Sequence, residues 1–106
     1  DETVRTVAQI KGRYADIALD DPSKVFNTEL IAALELTAMI DIAETLVNSA
    51  VERKESRGAH TCRDFPKRDD ENYLHHSVAF YETGARPRIE KSEVTLGHWI
   101  PEARKY

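Results

Sequence analysis

From Asn27 to Arg57 the chain contains neither glycine nor proline. Nothing in the backbone therefore interrupts a helix until Gly58, well past the roughly 10–14 residues of an average one. Asn27 or Thr28 is placed to cap its start. At about 100° per residue, Thr37, Asp41, Glu44, Asn48 and Glu52 fall on one polar stripe. Ala38, Met39, Ile40, Ile42, Ala43, Leu46, Val47, Ala50 and Val51 cover most of the rest. A helix apolar over so wide an arc has to be covered on more than one side.

Residues 2–17 supply one cover. Val4, Val7, Ile10, Tyr14 and Ile17 recur at steps of three and four, the spacing of one helix face. Gly12 weakens that helix by about 1 kcal/mol relative to alanine. Asp20-Asp21-Pro22-Ser23 closes it with a turn. A further helix, absent from this chain or supplied by a second copy, should cover more of the long helix. The chain thus reads as incomplete. It also lacks an initiator methionine, and is expected to be processed or part of something longer.

Glu35 falls inside the apolar arc. A carboxylate there needs a cation or hydrogen-bond donors. Either its stem packs while its head reaches water, or it pairs with an arginine from residues 53–68.

Gly58 suits a left-handed helix end, and Pro66 prevents immediate resumption. Residues 59–68 are expected to form an ordered loop. Asp69-Asp70-Glu71-Asn72 can start a short helical turn, since acidic residues favour a helix N-terminus. Residues 77–81 and 88–94 read as strands joined through a loop at 82–87. The tail, Ile100-Pro-Glu-Ala-Arg-Lys-Tyr106, reads as extended. The expected organisation is one domain, with a helical part over 1–58 and a charged loop and extension over 59–106.

The 106 residues suffice for one small domain. Fifteen basic and nineteen acidic residues leave a net charge of −4, which argues against a nucleic-acid partner. No apolar run approaches the roughly 20 residues of a membrane span, so no direct membrane insertion is expected. The charged start does not resemble a signal peptide. A single cysteine, Cys62, cannot form an internal disulfide and suits a reducing compartment.

The run from Glu52 to Glu71 concentrates the reactive side chains. His60 and Cys62 supply two candidate metal ligands, but zinc sites normally need four, and His75 and His76 would point to opposite faces of a strand. Cys62 has cationic neighbours able to lower its pKa, yet no orienting third group accompanies it. The bland alternative is a small, partly buried Cys62 and a His60 that donates to a backbone carbonyl. The four glycines form no dinucleotide or phosphate loop. Arg53, Lys54, Arg57, Arg63, Lys67 and Arg68 are matched one for one by Glu52, Glu55, Asp64, Asp69, Asp70 and Glu71. A solvated face is the usual explanation for such a run. Gly58, Phe65 and Pro66 interrupt it, however, and arginines outnumber lysines. Planar guanidinium forks suit fixed bidentate pairing, so an ordered network is expected.

The segments Val25-Phe-Asn-Thr-Glu-Leu30, Ala33-Leu-Glu-Leu36, Asp41-Ile-Ala-Glu44, Arg53-Lys-Glu-Ser-Arg-Gly-Ala-His60, Arg63-Asp-Phe-Pro66 and Arg68-Asp-Asp-Glu-Asn72, followed by His76, carry a resemblance. Together they resemble the C-terminal domain of the flavoprotein subunit of succinate dehydrogenase and fumarate reductase. The resemblance covers nearly the whole chain and is most specific from Phe26 to His76. It is nearest to prokaryotic succinate dehydrogenases. L-aspartate oxidases and adenylylsulfate reductases share part of it.

That resemblance implies a mainly α fold: a spectrin-like helical bundle, here missing its first helix, with a C-terminal extension that lies along a larger flavin domain. It implies a parent that oxidises succinate to fumarate through FAD and passes electrons to an iron–sulfur subunit and quinone. The parent would sit in the cytoplasm, peripherally at the inner face of the cell membrane. In the family, the flavin and the substrate-binding and proton-donating side chains belong to earlier domains. No catalytic, cofactor-binding or metal residue is therefore assigned in this chain. Its partners would be the flavin-binding domain of the same subunit and the iron–sulfur subunit. Arg57, His60, Arg63, Asp64, Arg68 and Asp69, with Glu35, are the expected structural and contact network. Three positions depart from the family's habit: Ile100 replaces a proline, His75 replaces a common lysine, and Cys62 lies where the family varies. A reading from another class is a free-standing helical adaptor that self-associates through its uncovered face.

Overall fold

The computed structural model describes residues 2–84 and 86–102. Its elements are α1 (Glu2–Tyr14), α2 (Thr28–Glu52), α3 (Asp70–Tyr73), β1 (His75–Phe80) and β2 (Arg88–Glu93). Contacts divide the chain into two compact units between Asn48 and Ser49.

In the first unit, Lys11 Nζ reaches Asp41 at 3.0 Å and Glu44 at 2.5 Å. The Tyr14 hydroxyl donates to the Ala33 carbonyl at 2.8 Å. These pairings run α1 and α2 in opposite senses. Part of the expected polar stripe on α2 thus faces α1 rather than water. Val4 and Ile40 are the buried apolar residues among those described. The other side of α2 is open: Ile31, Leu34, Met39, Ile42 and Leu46 are each more than half exposed. α1 stops at Tyr14 rather than residue 17 because the Asp16 and Ile17 amides donate three residues back, to Arg13 and Tyr14, which tightens the last turn.

The connection into α2 is an ordered turn. The Glu29 carboxylate accepts the Asp20 and Asp21 amides at 3.1 and 2.8 Å. Asp21 Oδ1 accepts the Ser23 amide at 2.9 Å, an Asx turn of the kind its sequence suggests. The Asn27 side chain is buried. Its Oδ1 accepts the Leu30 amide at 2.8 Å, and its Nδ2 donates to the Asp21 and Ser23 carbonyls. Asn27, rather than Thr28, is the cap. Phe26 just before it has a left-handed backbone, φ 53°.

In the second unit α2 ends at Glu52, five residues before the expected limit. Residues 53–57 leave the helix, so that alternate side chains share a side and Arg53, Glu55 and Arg57 converge. The turn that follows joins Arg57 and His60 by two backbone bonds of 2.9 and 3.0 Å. Gly58 takes φ 59° there, in a tight turn rather than at a helix end. Ser56 holds the 59–67 loop: its amide donates to the Lys67 carbonyl at 3.1 Å, and its hydroxyl to Phe65 at 2.8 Å. α3 starts at the expected acidic run, with Asp69 Oδ1 accepting the Asn72 amide at 3.1 Å.

β1 and β2 form an antiparallel hairpin in which Val78 faces Glu90 and Ala79 faces Ile89. Its limits differ from the expected ones by one or two residues, within the fraying normal for strand ends. Asp1, Ala85 of the expected hairpin loop, and residues 103–106 of the expected extended tail lie outside the described residues.

Candidate functional site

The charged run folds into a chain of alternating charge around one carboxylate. Glu55 is fully buried. Its Oε1 accepts from Arg53 Nη1 at 2.5 Å and Arg57 Nε at 2.8 Å. Its Oε2 accepts from Arg57 Nη2 at 3.0 Å and from the Asp69 backbone amide at 2.8 Å. Both oxygens are thus doubly satisfied, which is the condition for burying an ion.

The two arginines extend the network outward. Arg53 also donates to the Tyr73 carbonyl at 2.8 Å, the His75 carbonyl at 2.6 Å and the Ser77 hydroxyl at 3.3 Å. It thereby fastens the end of α2 to α3 and β1. Arg57 Nη2 reaches Asp70 Oδ1 at 2.5 Å. Arg68 grips both Asp70 oxygens, at 2.7 and 2.5 Å, and donates to the Glu102 carbonyl at 2.7 Å. The order is Arg53, Glu55, Arg57, Asp70, Arg68: five charges of alternating sign.

Burial alone would raise the Glu55 carboxyl. Arg57, the Asp69 amide and Arg53 together outweigh it and bring the group down to about 2. Arg68 and then Arg57 lower Asp70 to about 2 as well. A depressed carboxylate stabilises the fold above its unfolded pKa and loses that contribution as pH falls toward the folded value. For Glu55 the contribution is on the order of 3 kcal/mol. Amide protection across 53–57 and 69–75 should therefore hold above about pH 5 and fall steadily toward about 2. A Glu55→Gln variant should show a flatter acid limb in the same hydrogen-exchange measurement, from a lower starting protection.

Of the expected network residues, the fold brings together Arg57, Arg68 and Asp69, the last through its amide and as the cap of α3. His60 joins at the edge: its Nε2 lies 3.2 Å from the Arg53 carbonyl, so it carries the proton and donates. Arg63 and Asp64 are exposed on the loop, beside a half-exposed Phe65, and make no ion pair among the described residues. Glu35 is exposed on α2. The sequence reading missed Glu55 as the centre and Arg53 as the main fastener. The signal was present in the spacing Arg53-x-Glu55-x-Arg57, which converges only once the helix has ended. Cys62 is partly buried, with its amide donating to the Ser56 hydroxyl at 2.9 Å.

Chemically, the network is a fastening between the end of α2, α3 and β1. Arg53, Arg57 and Arg68 spend their forks on protein acceptors, leaving none of the three to grip a substrate anion. Among the described residues no three His, Cys, Asp or Glu side chains gather as metal ligands would. The glycines at 12, 58, 84 and 97 stand singly in the sequence. None of the described helices is long and apolar enough to cross a membrane.

The sequence profile of the family described as "Fumarate reductase flavoprotein C-term" matches residues 1–106. The fumarate reductase flavoprotein subunit of Haemophilus influenzae is 46% identical over 105 residues, covering 99% of this chain and 18% of that subunit. The succinate dehydrogenase flavoprotein subunit of Rickettsia conorii is 38% identical over 96 residues, covering 91% of this chain and 16% of the subunit. A solved E. coli quinol fumarate reductase chain superposes with a TM-score of 0.88 at 36% identity, over 96% of this chain and 18% of that one. The chain thus spans less than a fifth of the length of these relatives. The whole-chain match favours the flavoprotein reading over the free-standing adaptor.

Proposed function

The chain belongs to the family of C-terminal domains of fumarate reductase and succinate dehydrogenase flavoprotein subunits, and on that premise we propose that it is a non-catalytic docking domain. The observation that carries the proposal is the internal commitment of the three arginines of the charged network. Arg53, Arg57 and Arg68 all donate to acceptors of this chain, so the charged run is spent on holding the fold. Their network makes a rigid base under the exposed 63–66 loop. Arg63 and Asp64 on that loop, with Phe65, then meet the flavin-binding part of the same subunit. His60 serves structure through the Arg53 carbonyl, and Glu35, exposed on α2, belongs to the contact surface.

The parent subunit holds FAD in its larger part, oxidises succinate to fumarate there, and passes electrons to an iron–sulfur subunit and on to quinone. It lies peripherally at the cytoplasmic face of the membrane and engages no nucleic acid. The reverse direction, fumarate reduction, is the second reading, and the higher identity to the Haemophilus influenzae fumarate reductase subunit supports it. Rates of the whole enzyme with succinate and an acceptor, and with fumarate and a reduced donor, separate the two.

Arg57→Ala in the full-length subunit should lower the yield of folded, flavin-loaded protein several-fold. In the protein that does fold, the flavin-reduction rate in stopped flow should stay within about twofold of the parent, because an interaction absent from the reacting centre does not enter the barrier. A normal yield with slowed flavin reduction would assign Arg57 to the reaction instead.

A further inference from the structure

The turn ahead of α2 holds a side chain in a way its own unit does not use. Phe26 is 95% exposed, and its backbone sits at φ 53°. That region is open to glycine and, less readily, asparagine, and it costs a bulky residue on the order of 1–2 kcal/mol. Such a conformation persists only where the surroundings over-determine it. Here they do. Glu29 takes two amides, Asp21 takes the Ser23 amide, and the buried Asn27 side chain makes three bonds across the turn. The rigid turn thus presents a large aromatic ring that contributes almost nothing to its own core.

Val25 beside it is 72% exposed, and Ile31 and Leu34 on the first turns of α2 are 54% and 63% exposed. Exposed apolar side chains thus flank the ring in sequence on both sides. An exposed aromatic on a rigid turn is a common form of interface anchor, because an aromatic side chain buries much area for few frozen torsions.

We infer that Phe26 is a second docking anchor of this domain, seated in an apolar pocket on the remainder of the same flavoprotein chain. That occupant follows from length: the relatives carry more than four-fifths of their residues outside the segment matched here. The inference rests on the docking role proposed above. It adds a contact in the first unit, remote in sequence from the charged network.

Phe26→Gly gives opposite signs for the two alternatives. On a free surface glycine relieves the left-handed backbone, and the variant is unchanged or more robust. If the ring is seated, the variant loses an anchor. In the full-length subunit without its partner subunits, limited proteolysis that releases a piece of this domain's size should then run about tenfold faster. Phe26→Trp should stay within about twofold of the parent, as a retained aromatic anchor would. Unchanged or slower release with Phe26→Gly overturns the inference. So does an effect that appears only once the partner subunits are added, since the pocket would then be theirs. Arg57→Ala run in parallel separates the two levels. Faster release with Arg57→Ala but not Phe26→Gly sinks the anchor alone, and no change in either sinks the docking role with it.

Discussion

Glu55→Ala should cost the second unit about 3–5 kcal/mol, the range for breaking a buried ion pair by removing one partner. The loss is large because the carboxylate is fully buried and holds four donors at once. Without it, the Arg53 and Arg57 guanidinium groups face each other across an uncompensated gap, and the Asp69 amide loses its acceptor. Like charges so placed repel. The Asp69 amide also belongs to the residue that caps α3, so the damage should spread to residues 69–73. Urea unfolding should show the midpoint falling. Glu55→Gln should recover part of the loss, since its amide oxygen still accepts but its amide nitrogen confronts a donor. If Glu55→Ala unfolds at the parental midpoint, the alternating-charge chain is not what holds this unit.

Arg53→Ala should cost nearly as much, about 3–5 kcal/mol, and by a separate route. Arg53 donates to two backbone carbonyls, a hydroxyl and Glu55, and its guanidinium stands 5.9 Å from the Tyr73 ring. Its removal leaves the Tyr73 and His75 carbonyls short of a partner where α3 passes into β1. A buried acceptor stripped of its donor costs roughly 1–3 kcal/mol. Hydrogen exchange should report the loss first at the start of the β1–β2 hairpin. Arg53→Lys should rescue little, because a single ammonium cannot span the carbonyls and the carboxylate that the planar fork reaches. A full rescue by lysine would mean that charge alone matters at this position.

The first unit was largely legible from sequence. The periodicity of α1, the Asp-Asp-Pro-Ser turn, a cap at Asn27 or Thr28 and the over-wide apolar arc of α2 are local patterns, and each has its counterpart in the structure. So do the acidic start of α3 and the two strands. The end of α2 was not legible. No breaker stands between Glu52 and Gly58, and helix propensity favours continuing through Arg53, Lys54 and Glu55. Tertiary pairing overrides that preference: only outside the helix do side chains 53, 55 and 57 converge on one site. The same cause hid the centre of the network. Glu55 looked like one of six interchangeable carboxylates in a charged run expected to form a network, and nothing local distinguishes the one that is buried. Arg63 and Asp64 drew notice by type, yet their loop carries them outward. Which charges pair in such a run is decided by contacts across the chain, and composition carries no trace of that.

The convergence of Arg53, Glu55 and Arg57 depends on a two-residue rhythm, while the loop between Gly58 and Lys67 leaves Arg63 and Asp64 exposed between its attachments at Cys62 and Phe65. The unit therefore tolerates changes of length very unevenly. Extra residues between Arg63 and Asp64 lengthen a surface loop at little entropic cost. A single residue inserted between 53 and 57 would reverse which side chains face inward, turning one arginine or the glutamate to solvent and leaving its partners stranded. In descendants of this chain, insertions and deletions should accumulate in the loop and stay out of the five residues before it.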